Sequence, residues 1–209
     1  MAKSAARSGR PYHHGELKEA LVAAGRKLLE EKGLRGFTLR ECARRAEVSH
    51  AAPAHHFDSI DDLLAEIATR GFGELTEAMA AEARRAGGDP AARLVGQGVG
   101  YMAFAAANPM LFRLMFNRET DGFETPALVA AAKAARELHF AAIEAAIPKA
   151  PPEVKVRMSD FAWASVHGFI TLVLEGQIGE HDSSRALKGR SLAILAAMAE
   201  TVVRTGGTD

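Results

Sequence analysis

The apolar residues of this chain recur at three- and four-residue spacing, in segments bounded by caps, glycines and prolines. Runs of Val, Ile, Thr and aromatic residues are nearly absent. Spacing of that kind places apolar side chains on one face of a helix, and it offers no period-two pattern from which to build a sheet. An abundance of alanine points the same way, since alanine is the best helix former and lets helices approach closely. The fold class is therefore all-α, with about nine helices, four before a glycine break and five after it.

The first helix is expected from Glu16 to Glu31, with Leu17, Leu21, Ala24, Leu28 and Leu29 on one face and Lys32-Gly33 ending it. Thr38-Leu39-Arg40-Glu41 has the form of a capping box, which opens a second helix running to about Ala46. Ser49 caps a short third helix to Phe57, in which Pro53 is tolerated only near the start. Ser59-Ile60-Asp61-Asp62 opens a long fourth helix, residues 59–86. Gly87-Gly88-Asp89-Pro90 is the clearest break, and it starts a helix that ends at about Ala107 before Asn108-Pro109. A short aromatic segment from Met110 to Phe116 and a loop from Asn117 to Pro126 follow. Helices are then expected from Ala127 to Ile147, from Glu153 to Gln177 after a proline-rich turn, and from Ser184 to Arg204. The domains read as a basic arm over 1–15, a helical head over 16–65 and a second helical domain over 87–209, with the fourth helix connecting them.

Several function classes are poorly supported. Cys42 is the single cysteine, which excludes an internal disulfide framework and fits a reducing compartment. No apolar stretch is long enough to span a membrane, and the basic start leads into no hydrophobic segment, so a soluble cytoplasmic protein is expected. His13-His14 and His55-His56 are adjacent pairs, which cannot both face one metal from a helix, so no metal or other cofactor is expected. Cys42 has no obvious base beside it and reads as a small buried residue, and no glycine-rich phosphate loop is present. Gly96, Gly98 and Gly100 alternate within a helical stretch and suggest close packing or a kink. The chain is not expected to be an enzyme.

Charge distribution favours nucleic acid. Net charge is zero, but residues 1–57 hold eleven Lys/Arg against six Asp/Glu, a balance of +5, and the remainder carries −5. Two short helices joined by a tight turn, Thr38 to Ala46 and Ser49 to Phe57, match what docking into the major groove of DNA requires.

The residues themselves are more specific than their spacing. Tyr12-His13-His14-Gly15-Glu16-Leu17, Glu31-Lys32-Gly33, Thr38 through Ala46, Val48-Ser49 and His56-Phe57 closely resemble the N-terminal domain of the tetracycline-repressor (TetR) family, over about residues 12–65. Trp163 with His167-Gly168 resembles the Trp-His-Gly signature of one class of TetR-type C-terminal domain. The resemblance implies a transcriptional regulator, most often a repressor, that binds a double-stranded operator and answers to a small-molecule effector. It further implies a homodimer built on the last two helices, here about 153–177 and 184–204, and a cavity whose occupancy moves the DNA-binding heads.

One departure from the family stands out. The usual recognition-helix tyrosine is replaced by Ala54, and the lysine that starts the following helix by Ile60. In the family both typically grip phosphates, contacts that supply affinity and fix register. The DNA contacts expected here are Thr38, Arg40, Ser49, His50, Ala51, Ala52, Ala54 and His55, with Lys3, Arg7 and Arg10 of the arm reaching the minor groove or backbone. Phe57 is expected to be core beneath them. For the effector, a largely apolar cavity is expected around Met102, Phe112, Phe116, His139, Trp163 and His167, with Gln97 a further polar candidate. Arg113 is the one cation on those segments, which argues for an apolar or amphipathic effector. The competing reading is a helical ligand-binding or interaction protein whose DNA-binding head has decayed.

Overall fold

The computed structural model describes residues 14–116, 124–179 and 182–207, and every regular element among them is helical. In chain order these are α1 (His14–Lys32), a 3₁₀ turn η1 (Leu34–Gly36), α2 (Leu39–Arg45), a second 3₁₀ segment η2 (Ala52–His55), α3 (Ile60–Arg85), α4 (Pro90–Ala107), α5 (Pro109–Phe116), α6 (Pro126–Ala146), α7 (Pro152–Leu174) and α8 (Ser184–Gly206). The chain divides into two compact units between Leu64 and Ala65. The basic arm and most of the loop 117–126 lie outside the described residues. No single helix among the described residues is long and apolar enough to cross a membrane.

Local chemistry explains where the helices begin. Thr38 Oγ1 accepts from the Glu41 amide at 3.1 Å, and Asp89 accepts from the Ala92 amide at 2.9 Å ahead of Pro90. Ser59 and Asp62 form a reciprocal box in which each side chain accepts from the other's amide. Thr125 caps α6 by accepting from the Leu128 amide, and Ser183 caps α8 by accepting from the Ala186 amide.

The expected third α-helix, Ser49 to Phe57, is a correction. Only Ala52–His55 is helical there, as a 3₁₀ segment flanked by turns. Pro53 has no N–H to give to the Ser49 carbonyl, so that carbonyl instead accepts from the Ala52 amide one residue earlier, at 3.0 Å. The turn before it is a Schellman motif, with the Val48 amide on the Ala43 carbonyl and the Glu47 amide on the Arg44 carbonyl. Its left-handed residue is Glu47, at φ 56°, where glycine is the usual occupant.

In the first unit, Leu21, Leu28 and Leu29 of α1 are fully buried together with Cys42 and Ala43 of α2, and Phe57 lies in the same core. Arg45 bridges Glu31 of α1 at 2.7 Å and Glu41 of α2 at 3.1 Å, so a planar guanidinium ties the two helices at their polar edge. Burial pushes the Cys42 thiol up to about 11, as expected of an inert core cysteine.

In the second unit α4 packs against α6, α7 and α8. The alternating glycines of α4 permit two close approaches on different sides. A Cβ at Gly96 would lie 2.6 Å from the Glu82 carbonyl oxygen, and one at Gly100 would lie 2.3 Å from that of Ala78, so this pair seats α4 on the backbone of α3. Gly98 gives room to Leu195 of α8. At Asn108 the chain bends by 109° into α5, whose Arg113 donates to the Leu174 carbonyl at the C-terminus of α7. Most of α3 belongs to this unit, since Phe72, Leu75, Met79 and Ala83 are buried.

Candidate DNA-contacting surface and effector cavity

On the first unit, Thr38, Arg40, Ser49, His50, Ala51, Ala54 and His55 are all exposed. Ala52 is the exception among the expected DNA contacts of the described head. It is 8% exposed, buried as Pro53 and Phe57 are, and is a core residue. The 3₁₀ turn thus presents a small surface of serine, histidines and alanine methyls, with nothing bulky on it. Arg44 is exposed but engaged with both carboxylate oxygens of Glu41, at 2.8 Å each. Hydrogen bonds from Arg44 and Arg45 hold the Glu41 carboxyl down to about 2. Arg40, by contrast, has no ion pair among the described residues, which leaves its charge available to a phosphate. Ile60 is half-buried at the first position of α3, and Lys3, Arg7 and Arg10 lie outside the described residues.

The second unit holds a cavity of about 440 Å³. Phe72, Leu75 and Met79 of α3 line it, with Gln97 and Tyr101 of α4, Met115 and Phe116 of α5, Leu128, Ala132, Arg136 and His139 of α6, Ala162, Trp163 and Val166 of α7, and Met198 of α8. Of the residues expected there from sequence, Phe116, His139, Trp163 and Gln97 are on the wall. Met102, Phe112 and His167 are not. One helical step separates Tyr101 from Met102, and the 100° it represents puts the tyrosine toward the cavity while Met102 is buried elsewhere. Phe112 and His167 stand behind the wall. Phe112 packs edge-on to Tyr101 at 5.6 Å, and His167 Nδ1 lies 2.7 Å from the Tyr101 hydroxyl. Phe116 is the hub of this cluster, in ring contact with Phe72, Tyr101, Phe112, Trp163 and His167.

The polar groups of the wall are few and placed. Gln97 is 4% exposed and its Nε2 donates to the Leu138 carbonyl at 3.2 Å. His139 Nε2 donates to the Ser159 carbonyl at 3.1 Å, and burial holds its pKa below the ordinary histidine value. Burial likewise raises the Tyr101 hydroxyl, which therefore stays protonated, and depresses His167. Arg136 and Glu124 are exposed on the lining, so a cation does reach this cavity, though it is not Arg113. Among the described residues no cluster of three or more His, Cys, Asp or Glu side chains could hold a metal ion. Sequence reasoning missed the α3 wall and the apolar part of the α6 wall because those residues carry no signal that separates a cavity lining from core.

A helix-turn-helix head followed by a helical domain with an apolar cavity defines a class of protein, the all-helical DNA-binding regulator. Two family profiles match. "Bacterial regulatory proteins, tetR family" covers residues 21–67, and "Tetracyclin repressor-like, C-terminal domain" covers residues 94–195. The chain belongs to the TetR family of bacterial transcription regulators. A protein of unknown function from Rhodococcus sp. RHA1 is 31% identical over 94% of this chain and 98% of its own, with a TM-score of 0.76. A TetR family transcription regulator from Marinobacter aquaeolei VT8 is 16% identical over 87% and 94%, with a TM-score of 0.65. A TetR variant from Acinetobacter baumannii AYE, in complex with minocycline, is 18% identical over 94% and 99%, with a TM-score of 0.60. At these last two identities the likeness is one of fold. No curated protein matches the chain.

Proposed function

We propose that this regulator is a cytoplasmic repressor that leaves its operator when a small apolar or amphipathic effector fills the cavity. The carrying observation is the cavity itself, about 440 Å³ and walled mostly by apolar and aromatic side chains, a size and lining suited to a small organic ligand. α3 supplies a physical link. It is one continuous helix that contributes Leu63 and Leu64 to the buried residues of the head, and Phe72, Leu75 and Met79 to the cavity wall. An effector that moves that wall therefore acts on a helix rooted in the head, and affinity for DNA falls if the effector binds the displaced state more tightly.

Operator contacts are assigned to Thr38, Arg40, Ser49, His50, Ala51, Ala54 and His55, helped by Lys3, Arg7 and Arg10. With alanine and isoleucine at positions 54 and 60, phosphate anchoring is weaker than in relatives, and Arg40 and the arm carry a larger share. Fluorescence anisotropy on DNA fragments from upstream of the gene, across a salt series, tests this. Ala54→Tyr with Ile60→Lys should tighten binding to specific and random DNA alike and steepen the salt slope by about one unit. Deleting the first ten residues should weaken binding. A wild-type protein that prefers no fragment over random DNA at low salt would establish the decayed-head reading instead.

The dimer is assigned to α7 and α8. Six of the seven large apolar residues left exposed among the described residues lie on these helices: Val156, Phe161, Leu172, Leu192, Ile194 and Val203. Phe161, Gly168 and Leu172 fall on one stripe of α7, and no atom lies within 4 Å of a Cβ built at Gly168. Leu195 and Met198, which the helical pattern alone would nominate for the interface, are 1% and 3% exposed and belong to the core of the single chain. Leu192→Asp with Val203→Asp should therefore give a folded monomer by sedimentation velocity. A dimer undisturbed by both changes would place the interface elsewhere.

A further inference from the structure

We infer that the cavity selects a ligand whose buried polar end donates a hydrogen bond, an alcohol or an N–H on an apolar body, and that Gln97 Oε1 is the acceptor that reads it. The inference rests on the effector reading above and adds the polarity of the ligand to it.

The orientation of the Gln97 amide is fixed by chemistry. Its partner, the Leu138 carbonyl, can only accept, so the nitrogen must face Leu138 and the oxygen must face away from it. That oxygen is buried, belongs to a residue on the cavity wall, and finds no hydrogen-bond partner among the described residues. A buried acceptor left unmet is costly, whereas the same oxygen facing a donor is not. A ligand donor that meets this oxygen relieves that cost, and a ligand that offers only a further acceptor does not.

A second wall residue has the same polarity. His139 must use Nε2–H to reach the Ser159 carbonyl, and its burial favours the neutral ring, so its other nitrogen is a bare acceptor. The Tyr101 hydroxyl is already engaged with His167. Gln97 Oε1 and His139 Nδ1 are therefore two acceptors on residues of the wall. A carboxylate at the buried end would meet Gln97 Oε1 with like polarity. An acidic group has a cationic partner at Arg136, which is exposed and has no ion pair among the described residues.

The test uses the full chain and its single tryptophan, Trp163, which lines the cavity and reports occupancy by its fluorescence. Decyl alcohol is compared with its methyl ether, which keeps the acceptor oxygen and removes the donor, and with decanoic acid. Wild type should bind the alcohol about tenfold or more tighter than the ether. In Gln97→Met, checked for native helix content by circular dichroism, that preference should collapse toward one because the ether loses nothing. Equal binding of alcohol and ether by wild type would overturn the donor assignment while leaving the cavity reading intact. A preference that survives Gln97→Met would also overturn it. Should none of the three probes alter Trp163 emission, both the assignment and the effector reading fall. The wild-type comparison decides the matter even if the variant does not fold.

Discussion

The glycine pair that seats α4 on α3 can be tested with a single methyl group. A Cβ added at Gly100 would lie 2.3 Å from the Ala78 carbonyl oxygen, 2.7 Å from its carbonyl carbon and 2.8 Å from the Met79 Cα. Comfortable carbon contacts sit at about 3.5–4.0 Å, so α4 would have to move off α3 by on the order of 1 Å. The obstacle is backbone within a helix, which cannot rotate away as a side chain can. Overpacking costs about 1–3 kcal/mol, and this site belongs at the upper end. Alanine returns about 1 kcal/mol through helix propensity, which leaves Gly100→Ala less stable by about 2 kcal/mol. For a chain of this length that lowers Tm by about 4–8 °C. Gly73 on α3 is the matched control, exposed and with no atom within 4 Å of an added Cβ, so Gly73→Ala should gain up to about 1 kcal/mol. Thermal unfolding followed by far-ultraviolet circular dichroism, at one protein concentration for all variants, measures both. If Gly100→Ala melts with or above wild type, or moves in step with Gly73→Ala, the close-approach argument is wrong.

Three further outcomes are expected. Glu47→Gly relieves a left-handed residue worth about 1–2 kcal/mol, offset in part by the greater unfolded freedom of glycine, so the urea midpoint should rise by the equivalent of about 1 kcal/mol. Glu41 has its folded pKa depressed to about 2, so its ion pairs add stability that is present above the unfolded carboxylate pKa and is lost as the pH falls toward 2. Glu41→Gln should accordingly flatten the decline in urea midpoint over that acid range. It should also lower the midpoint at neutral pH. Cys42, fully buried with its thiol pushed up to about 11, should resist a thiol-specific disulfide reagent in the folded protein at mildly alkaline pH and react with one equivalent once denatured. Rapid labelling of the native chain would show that the core of the head opens easily.

Signals confined to a turn or two of chain were legible in the sequence. Thr38 and Asp89 cap where their spacing to the following residues requires, Gly33 and Pro90 punctuate where their backbone permits, and Cys42 is buried as its neighbours imply. The head was legible for the same reason, because its identity rests on local residues around Thr38–Ser49. Pro53 was also visible, but whether it shortened the third helix or turned it into a 3₁₀ segment depended on which carbonyl lost its donor. That is a matter of geometry. The cavity was legible only in outline. Tyr101 and Met102 are equally apolar neighbours, and only the rotation of α4, set by Gly96 and Gly100 against α3, decides which one faces the void. Leu195 and Leu192 likewise share a helix and a residue type. The first is buried against Gly98 and the second is left bare because of how α8 packs on α4. Periodicity tells that a helix has an apolar face. Which part of a broad apolar face meets a core, a cavity or the outside is set by the neighbouring helices, and that information is distributed over the whole chain.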